Sequence, residues 1–320
     1  MGVKIDKKDI DILWELFKNS RLPIVKIANK VSIPKETVKY RMERLVESGF
    51  LNKFHVIADA ARFGLSFYEI YIKLQGVSPE YEIQCIEKLK AHPFVCWLIS
   101  TSGRFSFICT FLVKNPAQFY DGYNYIRTIF GSYIKEVFIN ISIEGEQFDY
   151  PYFKNFKMPS IKTKGKVYSN APSKLDKLDT QLLKILSEHC RTPIKAIARQ
   201  LNSTEVTIRS RMKRLEKNGF IIQYSILLHP GRAGYFFNLM LLRLNGRSPE
   251  LEDYLKKIPE LFYFVKGAGF FDIKVEFYSE SENRVHELEE EIYQKFAGIV
   301  SNIDILHVKK EHCVRYFVDA

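Results

Sequence analysis

Apolar residues recur at helical spacing in two matching stretches of the chain. Val38, Met42 and Leu45 fall at positions i, i+4 and i+7, which predicts a helix with one buried stripe. The same spacing returns farther along, at Ile208, Met212 and Leu215. The sequence therefore predicts two amphipathic helices of the same design.

Two shorter helices are predicted ahead of each of these. Ile10, Leu13 and Phe17 form the apolar face of a first helix, and Ile27 with Ala28 marks a second. The later stretch repeats this pattern at Leu182, Ile185, Leu186, Ile197 and Ala198. Three helices with a short turn between the last two are typical of a helix-turn-helix.

The chain is an internal repeat. An offset of 170 residues aligns Lys4 with Lys174 and Gly64 with Gly234, and no gap is needed between them. Further pairs at this offset are Asp6/Asp176, Asp9/Asp179, Arg21/Arg191, Pro23/Pro193, Arg41/Arg211 and Gly49/Gly219. Chance does not explain so long an ungapped match, so two units of the same architecture are expected.

Strand-like runs follow the predicted helices in each copy. Residues 50–57 and 220–227 have this character, and a strand hairpin here would form the wing of a winged helix. The rest of each copy reads βαββαβ, the ferredoxin-like pattern. In the first copy the elements are 68–74, a helix from Pro79, 95–100, 105–113, a helix from Pro116, and 134–143. In the second they are 237–244, 250–258, 261–266, 271–278, 281–296 and 300–309, with 312–318 open as an extra edge strand.

These patterns predict an α+β protein, a tandem repeat of a winged helix-turn-helix and a ferredoxin-like module. The winged helix-turn-helix domains are placed at 1–60 and 174–230, and the ferredoxin-like domains at 61–150 and 231–320. A basic linker is placed at 151–173, where the lysines are Lys154, Lys157, Lys162, Lys164 and Lys166. It is predicted to be exposed, either as a solvated tether or as a basic arm along DNA.

Charge adds a preference for polyanions. The 320 residues carry a formal net charge of +11, which favours nucleic acid first and an anionic membrane surface second. A lysine-rich protein without such a partner stays an alternative. With 46% hydrophobic and 27% charged residues, the chain is expected to be globular rather than disordered.

Cysteine usage and the lack of long apolar runs predict a cytoplasmic protein. The five cysteines are scattered and form no C-x-x-C, which argues against a disulfide framework and a zinc ribbon. Neither a secretory signal nor an apolar run long enough for a spanning helix occurs, so no membrane partner is expected.

The outward faces of the third helices carry the residues expected to contact double-stranded DNA. Cations, hydroxyl groups and an aromatic ring suit phosphates and base edges in a major groove. The groove candidates are Lys35, Thr37, Lys39, Tyr40, Thr207, Arg209 and Ser210, and Thr204, which can cap the second of these helices, is a further DNA-binding candidate. Four arginines either contact phosphate or brace the fold, and both roles stay open: Arg41, Arg44, Arg211 and Arg214. A winged helix used only for protein contacts is the other alternative.

The sequence offers no catalytic or metal site. The seven histidines lack a metal-binding spacing such as H-x-x-x-H, and neither a nucleophile elbow nor a P-loop occurs. No cofactor, metal ion or catalytic residue is therefore expected.

The chain resembles the Lrp/AsnC (leucine-responsive, feast/famine) family of transcription regulators, and each half is similar to one complete regulator. In the first half the resemblance rests on Asp6, Asp9, Leu13, Arg21, Pro23, Ile27, Ala28, Thr37, Val38, Arg41, Met42, Arg44, Leu45, Gly49, Phe50 and Gly64. In the second it rests on Asp176, Asp179, Leu183, Arg191, Pro193, Ile197, Ala198, Thr207, Ile208, Arg211, Met212, Arg214, Leu215, Gly219, Phe220 and Gly234. It implies DNA binding by the winged helices. It also implies dimerisation, and binding of a small effector, often an amino acid, at the ferredoxin-like modules.

Two features depart from the family pattern. Family members usually carry one unit per chain, whereas this chain carries two, so a pseudo-dimer within the chain is expected and a homodimer of chains stays open. The family loop Gly-x-x-Asp is kept from Gly269 to Asp272, but Gly103 is followed by Ser106 at the acidic position. Gly103, Gly269 and Asp272 are the effector-binding candidates, with a tight turn that requires glycine as the alternative.

The leading hypothesis is therefore a sequence-specific DNA-binding transcription regulator, not an enzyme, that responds to an amino acid or another small effector. Two unlike half-sites are expected, with centres about 34 Å apart or a multiple of that distance. The alternatives are an Lrp-like enzyme of the haem-pathway (siroheme) decarboxylase type and a nonspecific architectural DNA-binding protein.

Overall fold

The helices and strands follow the same order in both halves of the chain. The computed structural model describes residues 3–153, 156, 160–164 and 175–318. The first half contains α1 (Lys7–Lys18), α2 (Ile24–Val31), α3 (Lys35–Glu47), β1 (Leu51–Ala58), β2 (Ser66–Leu74), α4 (Pro79–Ala91), β3 (Val95–Gly103), β4 (Phe107–Val113), α5 (Pro116–Phe130), β5 (Ile134–Gln147) and β6 (Ile161–Lys164). The second half contains α6 (Lys177–Glu188), α7 (Ile194–Gln200), α8 (Glu205–Lys217), β7 (Ile221–Leu228), β8 (Phe236–Leu244), α9 (Pro249–Leu255), β9 (Leu261–Gly269), β10 (Ile273–Ser279), α10 (Glu282–Lys295) and β11 (Val300–Val314). The predicted α+β tandem architecture is confirmed.

These elements assemble into two compact units, each containing residues from both halves. The helix-turn-helix unit comprises Met1–Phe63 and Ser169–Gly234. The sheet unit comprises Gly64–Tyr168 and Tyr235–Val318. Equivalent modules of the two halves therefore pack into one unit, and neither half forms a unit by itself.

Capping and burial explain the helices of the helix-turn-helix unit. Asp6 caps α1 by accepting a hydrogen bond from the Asp9 amide, and the Asp9 side chain accepts one from the Asp6 amide. Asp176 and Asp179 form the same capping box on α6, and such boxes satisfy amides that a helix start leaves free. The apolar stripes predicted for α3 and α8 are buried as expected.

The strand after each helix-turn-helix pairs with its counterpart in the other half. β1 and β7 form an antiparallel two-stranded sheet in which Phe54 lies opposite Ile226 and Val56 opposite Tyr224. A hairpin formed within one half, which the sequence left open as the wing, is not the arrangement in this sheet. A single strand from each half suffices because the partner half supplies the second strand.

The sheet unit closes on itself. Its described strands form one nine-stranded sheet, with the order β5-β2-β4-β3 in the first half and β11-β8-β10-β9 in the second. The pairing of β3 with β11 and of β9 with β5 joins the two halves at both edges. Eight strands thus form a closed ring, and β6 adds to β5 outside it. The pairing protects the edges that each four-stranded sheet alone would leave open.

Alternation along the strands gives this ring an outer and an inner face. Outside, α4 and α5 cover a core that includes Ile70 and Phe107, and α9 and α10 cover one that includes Met240 and Val275. Inside, a separate cluster joins side chains of both halves: Tyr71, Ile99, Phe105, Ile108, Leu239, Leu241, Phe270, Phe271 and Leu306.

The segment predicted as an exposed linker is only partly so. Phe153 is buried within this segment, and the ring of Tyr150, just before it, stacks on Phe262 with 4.6 Å between centroids. Ile161 is also buried and begins β6, so the expectation of an exposed segment is wrong for Phe153 and Ile161. Lys162 is exposed, 3.8 Å from Glu146. Lys154, Lys157 and Lys166 lie outside the described residues.

The tail also differs from its prediction. Instead of adding a separate edge strand, residues 312–314 continue β11 and pair with β3, where Val314 lies opposite Trp97. β11 is longer than predicted because its first part pairs with β8 and its last part with β3.

Among the described helices, none combines the length and apolar character needed to cross a bilayer. The five cysteines are free thiols and all are buried.

Candidate nucleic-acid interface

The third helix of each half presents a polar face to solvent. In α3 the side chains of Val38, Met42 and Leu45 are buried, and those of Lys35 and Lys39 are exposed. Tyr40 is 67% exposed, which is unusual for so large an aromatic ring. Thr37 is half-buried on the same helix.

The α8 helix repeats this distribution with different chemistry. Arg209 and Ser210 are exposed, and Val206 is 77% exposed. Thr204 caps the helix by accepting a hydrogen bond from the Thr207 amide at 3.1 Å, whereas Pro34 gives α3 no side-chain cap. The two outward faces therefore share a cation at Lys39 and Arg209 but differ at the helix start, where Lys35 of α3 corresponds to Glu205 of α8.

Weak ion pairs hold two exposed cations of these faces, Lys39 and Arg209. Lys39 Nζ lies 3.8 Å from a Glu43 carboxylate oxygen, and Arg209 Nη2 lies 3.5 Å from one of Glu205. All four side chains are at least 46% exposed, and exposed pairs of this kind contribute about 0.5 kcal/mol or less. Such pairs can open readily to release the cation to a phosphate.

The sequence left open whether four arginines contact phosphate or brace the fold. All four form ion pairs with aspartates of the helix-turn-helix unit. Arg41 Nη1 donates to Asp6 and to Asp9 at 2.8 Å, and Arg44 donates to Asp9, which is fully buried. The hydrogen bond from Arg41 lowers the pKa of Asp6. Arg211 and Arg214 make the same contacts to Asp176 and Asp179.

This geometry connects the third helix to the start of the first and favours the bracing role. The side chains of Arg41 and Arg211 are mostly covered, with 18% and 22% exposure. Arg44 and Arg214 keep 38% and 49% exposure, so each retains surface toward solvent beside its aspartate contact.

Reciprocal hydrogen bonds join the two helix-turn-helix motifs. Ser20 Oγ lies 2.9 Å from Cys190 Sγ. Arg21 donates to the carbonyl of Cys190, and Arg191 donates to the carbonyls of Ser20 and Leu22. With the β1–β7 ladder, these contacts make the unit a pseudo-symmetric pair of helix-turn-helix motifs.

The two loops proposed for effector binding lie where the halves join. Gly103 and Gly269 have φ values of +108° and +134°, which side chains rarely adopt. A Cβ atom on Gly103 would lie 2.8 Å from the carbonyl oxygen of Ile305, and one on Gly269 would lie 2.5 Å from that of Ile139. Close approach to a strand of the other half, β11 for Gly103 and β5 for Gly269, therefore explains both glycines.

Asp272 has a structural contact of its own. Its Oδ2 atom accepts a hydrogen bond from the Leu244 amide at 2.8 Å. In the first half Ser106 Oγ takes the same place and accepts one from the Leu74 amide at 3.0 Å. The loss of the acid in the first loop is thus compensated by a hydroxyl group.

A charged cluster inside the sheet unit was not identified from the sequence. Lys274 Nζ lies 3.1 Å from both Glu69 carboxylate oxygens and 3.0 Å from one of Glu276. Tyr71 donates to Glu69, and Ser142 donates to it at 2.6 Å. The available signal was the charge at Glu69 and Lys274 within otherwise apolar strands, but alternation alone would place such residues in solvent.

No group of three or more His, Cys, Asp or Glu side chains suited to a metal ion occurs in the described part of the chain.

Comparison with known proteins places this architecture in a class. The AsnC-type helix-turn-helix domain matches residues 175–216, and a winged helix-turn-helix DNA-binding domain matches residues 5–52. An uncharacterised HTH-type transcriptional regulator of Pyrococcus abyssi is 30% identical over 145 residues, which is 43% of this chain and 96% of that protein. The transcriptional regulator LrpA of Pyrococcus horikoshii is 35% identical over 92 residues, 29% of this chain and 64% of that protein.

The chain is a helix-turn-helix transcriptional regulator that binds DNA. This class is indicated by the two exposed third helices, the two matching domains and these relatives. The chain belongs to the Lrp/AsnC family, with two complete family units in one chain. The resemblance noted from the sequence is confirmed.

A solved structure resembles the whole chain. The crystal structure of the siroheme decarboxylase NirDL covers 98% of this chain and 95% of its own, with a TM-score of 0.64 and 15% sequence identity. At this identity the likeness shows a shared fold. An enzyme therefore has the same two-unit architecture as this chain. The prediction that the chain is not an enzyme is wrong, because this fold does not exclude enzymatic activity.

Proposed function

We propose that this chain is a sequence-specific transcriptional regulator that reads two unlike DNA half-sites with α3 and α8. The groove contacts are assigned to Lys35, Thr37, Lys39 and Tyr40 in α3 and to Thr204, Thr207, Arg209 and Ser210 in α8. Arg44 and Arg214 are assigned to flanking phosphates through their exposed surfaces.

The observation that carries the proposal is the pair of similar but unequal exposed faces within one unit. Tyr40 on α3 corresponds to Ser210 on α8, and Lys39 corresponds to Arg209. Arginine can bind guanine with two hydrogen bonds, whereas lysine acts as a point charge. Two such faces are expected to prefer different bases.

The test is selection from random DNA duplexes, with sequencing of the bound fraction at two salt concentrations. We expect one enriched motif with two unlike half-sites, and an affinity that falls steeply with salt because phosphate contacts release counterions. Salt-dependent binding without a motif would instead support a nonspecific architectural protein.

Single substitutions then assign each half-site to a helix. Lys39→Ala and Arg209→Ala should each weaken binding by about 5- to 100-fold, or about 1–3 kcal/mol. Each should relax the base preference in one half-site only. Lys88→Ala and Arg247→Ala remove the same charges from exposed positions of the sheet unit and serve as matched controls. Equal losses in all four variants would point to net charge instead of helix contacts.

We further propose that a small effector, in the simplest case an amino acid, binds the sheet unit near Gly269 and Asp272. The support is the family resemblance together with the retained Gly-x-x-Asp loop at the junction of β5 and β9. A thermal-shift screen of the twenty amino acids on the full chain tests it. A stabilising amino acid whose effect is lost in Asp272→Asn, with Asp253→Asn as the control, supports the site. A screen without any shift removes the amino-acid effector.

A tetrapyrrole carboxylate substrate is the second candidate, since the NirDL fold matches nearly the entire chain. An absorbance titration with an iron-uroporphyrin separates the two functions. A saturable spectral change followed by release of carbon dioxide supports a decarboxylase, and its absence together with motif-specific DNA binding supports the regulator.

A further inference from the structure

The buried charges of the sheet unit are distributed unequally between the two halves. Lys274 and Glu69 are each only 3% exposed and come from different halves, β10 and β2. Glu276, two residues after Lys274 on the same strand, is the second carboxylate partner. The Lys274 ammonium group also lies 4.8 Å from the centre of the Trp97 ring, which the first half provides.

Strand register identifies the counterpart of each charged residue. In the first half Glu69 lies opposite Thr110 and Tyr71 opposite Ile108. In the second half Leu239 lies opposite Glu276, and Leu241 lies opposite Lys274. Glu69 therefore corresponds to Leu239, Lys274 to Ile108, and Glu276 to Thr110.

The ring contains two equivalent positions at which a residue of β2 or β8 faces a residue of β10 or β4 from the other half. At the first position Glu69 forms an ion pair with Lys274. At the second position the corresponding residues are Leu239 and Ile108, which belong to an apolar cluster. The interior is therefore complete only when a first half meets a second half.

Pairing of like halves would remove the ion pair between Glu69 and Lys274. Two first halves would place each Glu69 against Ile108 of the other copy, with no lysine at either place. Two second halves would place each Lys274 against Leu239, with only Glu276 of its own strand nearby. A buried charge that loses its partner is strongly unfavourable.

The helix-turn-helix unit contributes little to this choice, because its contacts between halves are reciprocal. Arg21 and Arg191 make equivalent hydrogen bonds to the opposite backbone, and Ser20 faces Cys190 at equivalent positions. Like halves could form most of these contacts equally well.

We infer that the Glu69–Lys274–Glu276 cluster specifies pairing between unlike halves and rejects a second copy of the same half as partner. Each assembled molecule then presents one α3 and one α8, never two of a kind. The cluster is a recognition device and adds specificity beyond the stability that apolar packing supplies. This inference does not depend on what the third helices bind.

The test uses the whole chain with a protease site introduced within residues 165–174 and cleaved after folding. Cleavage keeps every residue and removes the covalent link, so the halves can choose their partners when refolded from urea. Native mass spectrometry separates unlike pairs from like pairs because the two halves differ in mass.

Two variants change the cluster in opposite ways. Glu69→Gln with Lys274→Met and Glu276→Gln removes its charges while keeping an acceptor for Tyr71 and Ser142. Ile108→Lys with Leu239→Glu adds a second lysine and carboxylate at the apolar place, so that like pairs are compensated too. Lys266→Met with Glu144→Gln removes a partly exposed ion pair between the halves and is the control.

We expect the wild-type chain and the control to give unlike pairs almost exclusively. In both cluster variants the like pairs should rise toward ~50% of the total, the value when all pairings have equal free energy. Like pairs in the refolded wild-type protein would overturn the inference without any variant. The inference would also be overturned if a cluster variant that refolds gave the same proportion of unlike pairs as the wild-type chain.

Discussion

At the scale of single residues, a buried aspartate joins the third helix to the first helix. Asp9 has no exposed surface and accepts hydrogen bonds from Arg41 and Arg44 while completing the cap of α1. Asp179 does the same in the second half. These contacts account for both arginine pairs without requiring DNA.

Asp9→Asn should therefore destabilise the protein by about 3 kcal/mol, because it leaves the guanidinium groups without their buried anion. Urea denaturation followed by circular dichroism measures the loss. Asp11→Asn is the matched control on the same helix, and we expect its effect to be within about 0.5 kcal/mol. Equal effects of the two substitutions would contradict the bracing role.

Glu311 predicts a pH effect on stability. Burial raises its pKa to about 7 from the ordinary 4.5, although Trp97 Nε1 donates to it at 3.0 Å. Between these two values the unfolded chain has released the proton and the folded chain still holds it. Folding therefore becomes less favourable as pH rises from about 4.5 to 7.

Glu311→Gln should remove this penalty while keeping an acceptor for Trp97. We expect the variant to match the wild type at pH 4.5 and to be more stable by about 2 kcal/mol at pH 8, a value discounted because the side chain is partly exposed. Denaturation across this pH range, with Glu290→Gln as an exposed control, measures the difference. A constant difference at all pH values would rule out Glu311 as the cause.

At the scale of elements, the turns between paired strands depend on how closely the two halves approach. Gly269 ends β9 with a positive φ beside the Ile139 carbonyl of β5. Gly246 lies in another turn, where an added Cβ atom would meet nothing within 4 Å. A comparison of Gly269 with Gly246 therefore distinguishes the steric effect of an added Cβ atom from the general effect of replacing a glycine.

Gly269→Ala should lower stability by about 2–4 kcal/mol, because backbone strain and a clash add together. Gly246→Ala should change it by less than about 1 kcal/mol. Differential scanning calorimetry of the two full-length variants makes the comparison. If Gly269→Ala were as stable as the control, the loop would have to be freer than the β5–β9 pairing implies.

At the scale of the whole molecule, the β1–β7 ladder holds α3 and α8 in one unit. Under the proposed function, helices held this way cannot follow half-sites that rotate around the DNA axis. Inserting 5 base pairs between the selected half-sites should turn one of them to the opposite side and reduce affinity at least about tenfold. An insertion of 10 base pairs returns both half-sites to the same side of the DNA but increases the distance between them.

A mobility-shift series with insertions of 0, 5 and 10 base pairs tests this expectation. Equal affinity at all three spacings would mean that α3 and α8 act independently. The control is a duplex with one half-site scrambled, which gives the affinity of a single reader.

Much of the local structure followed from the sequence, because periodicity shows which residues share one face of an element. The stripe at Val38, Met42 and Leu45 predicted α3, and the apolar face at Ile10, Leu13 and Phe17 predicted α1. The same logic did not show that Glu69 is buried, since alternation separates two faces without saying which is covered. Closure of the sheet covers the second face.

The sequence by itself determined the repeat, the order of helices and strands, the basic charge and the polar faces of α3 and α8. These are properties of residues near one another in the chain or of the chain as a sum. Only the tertiary structure decided that β1 pairs with β7, that eight strands close into a ring, and that Lys274 meets Glu69 across 205 residues. Such contacts depend on how the two halves bury their surfaces against each other, and a local pattern carries no information about a partner so distant.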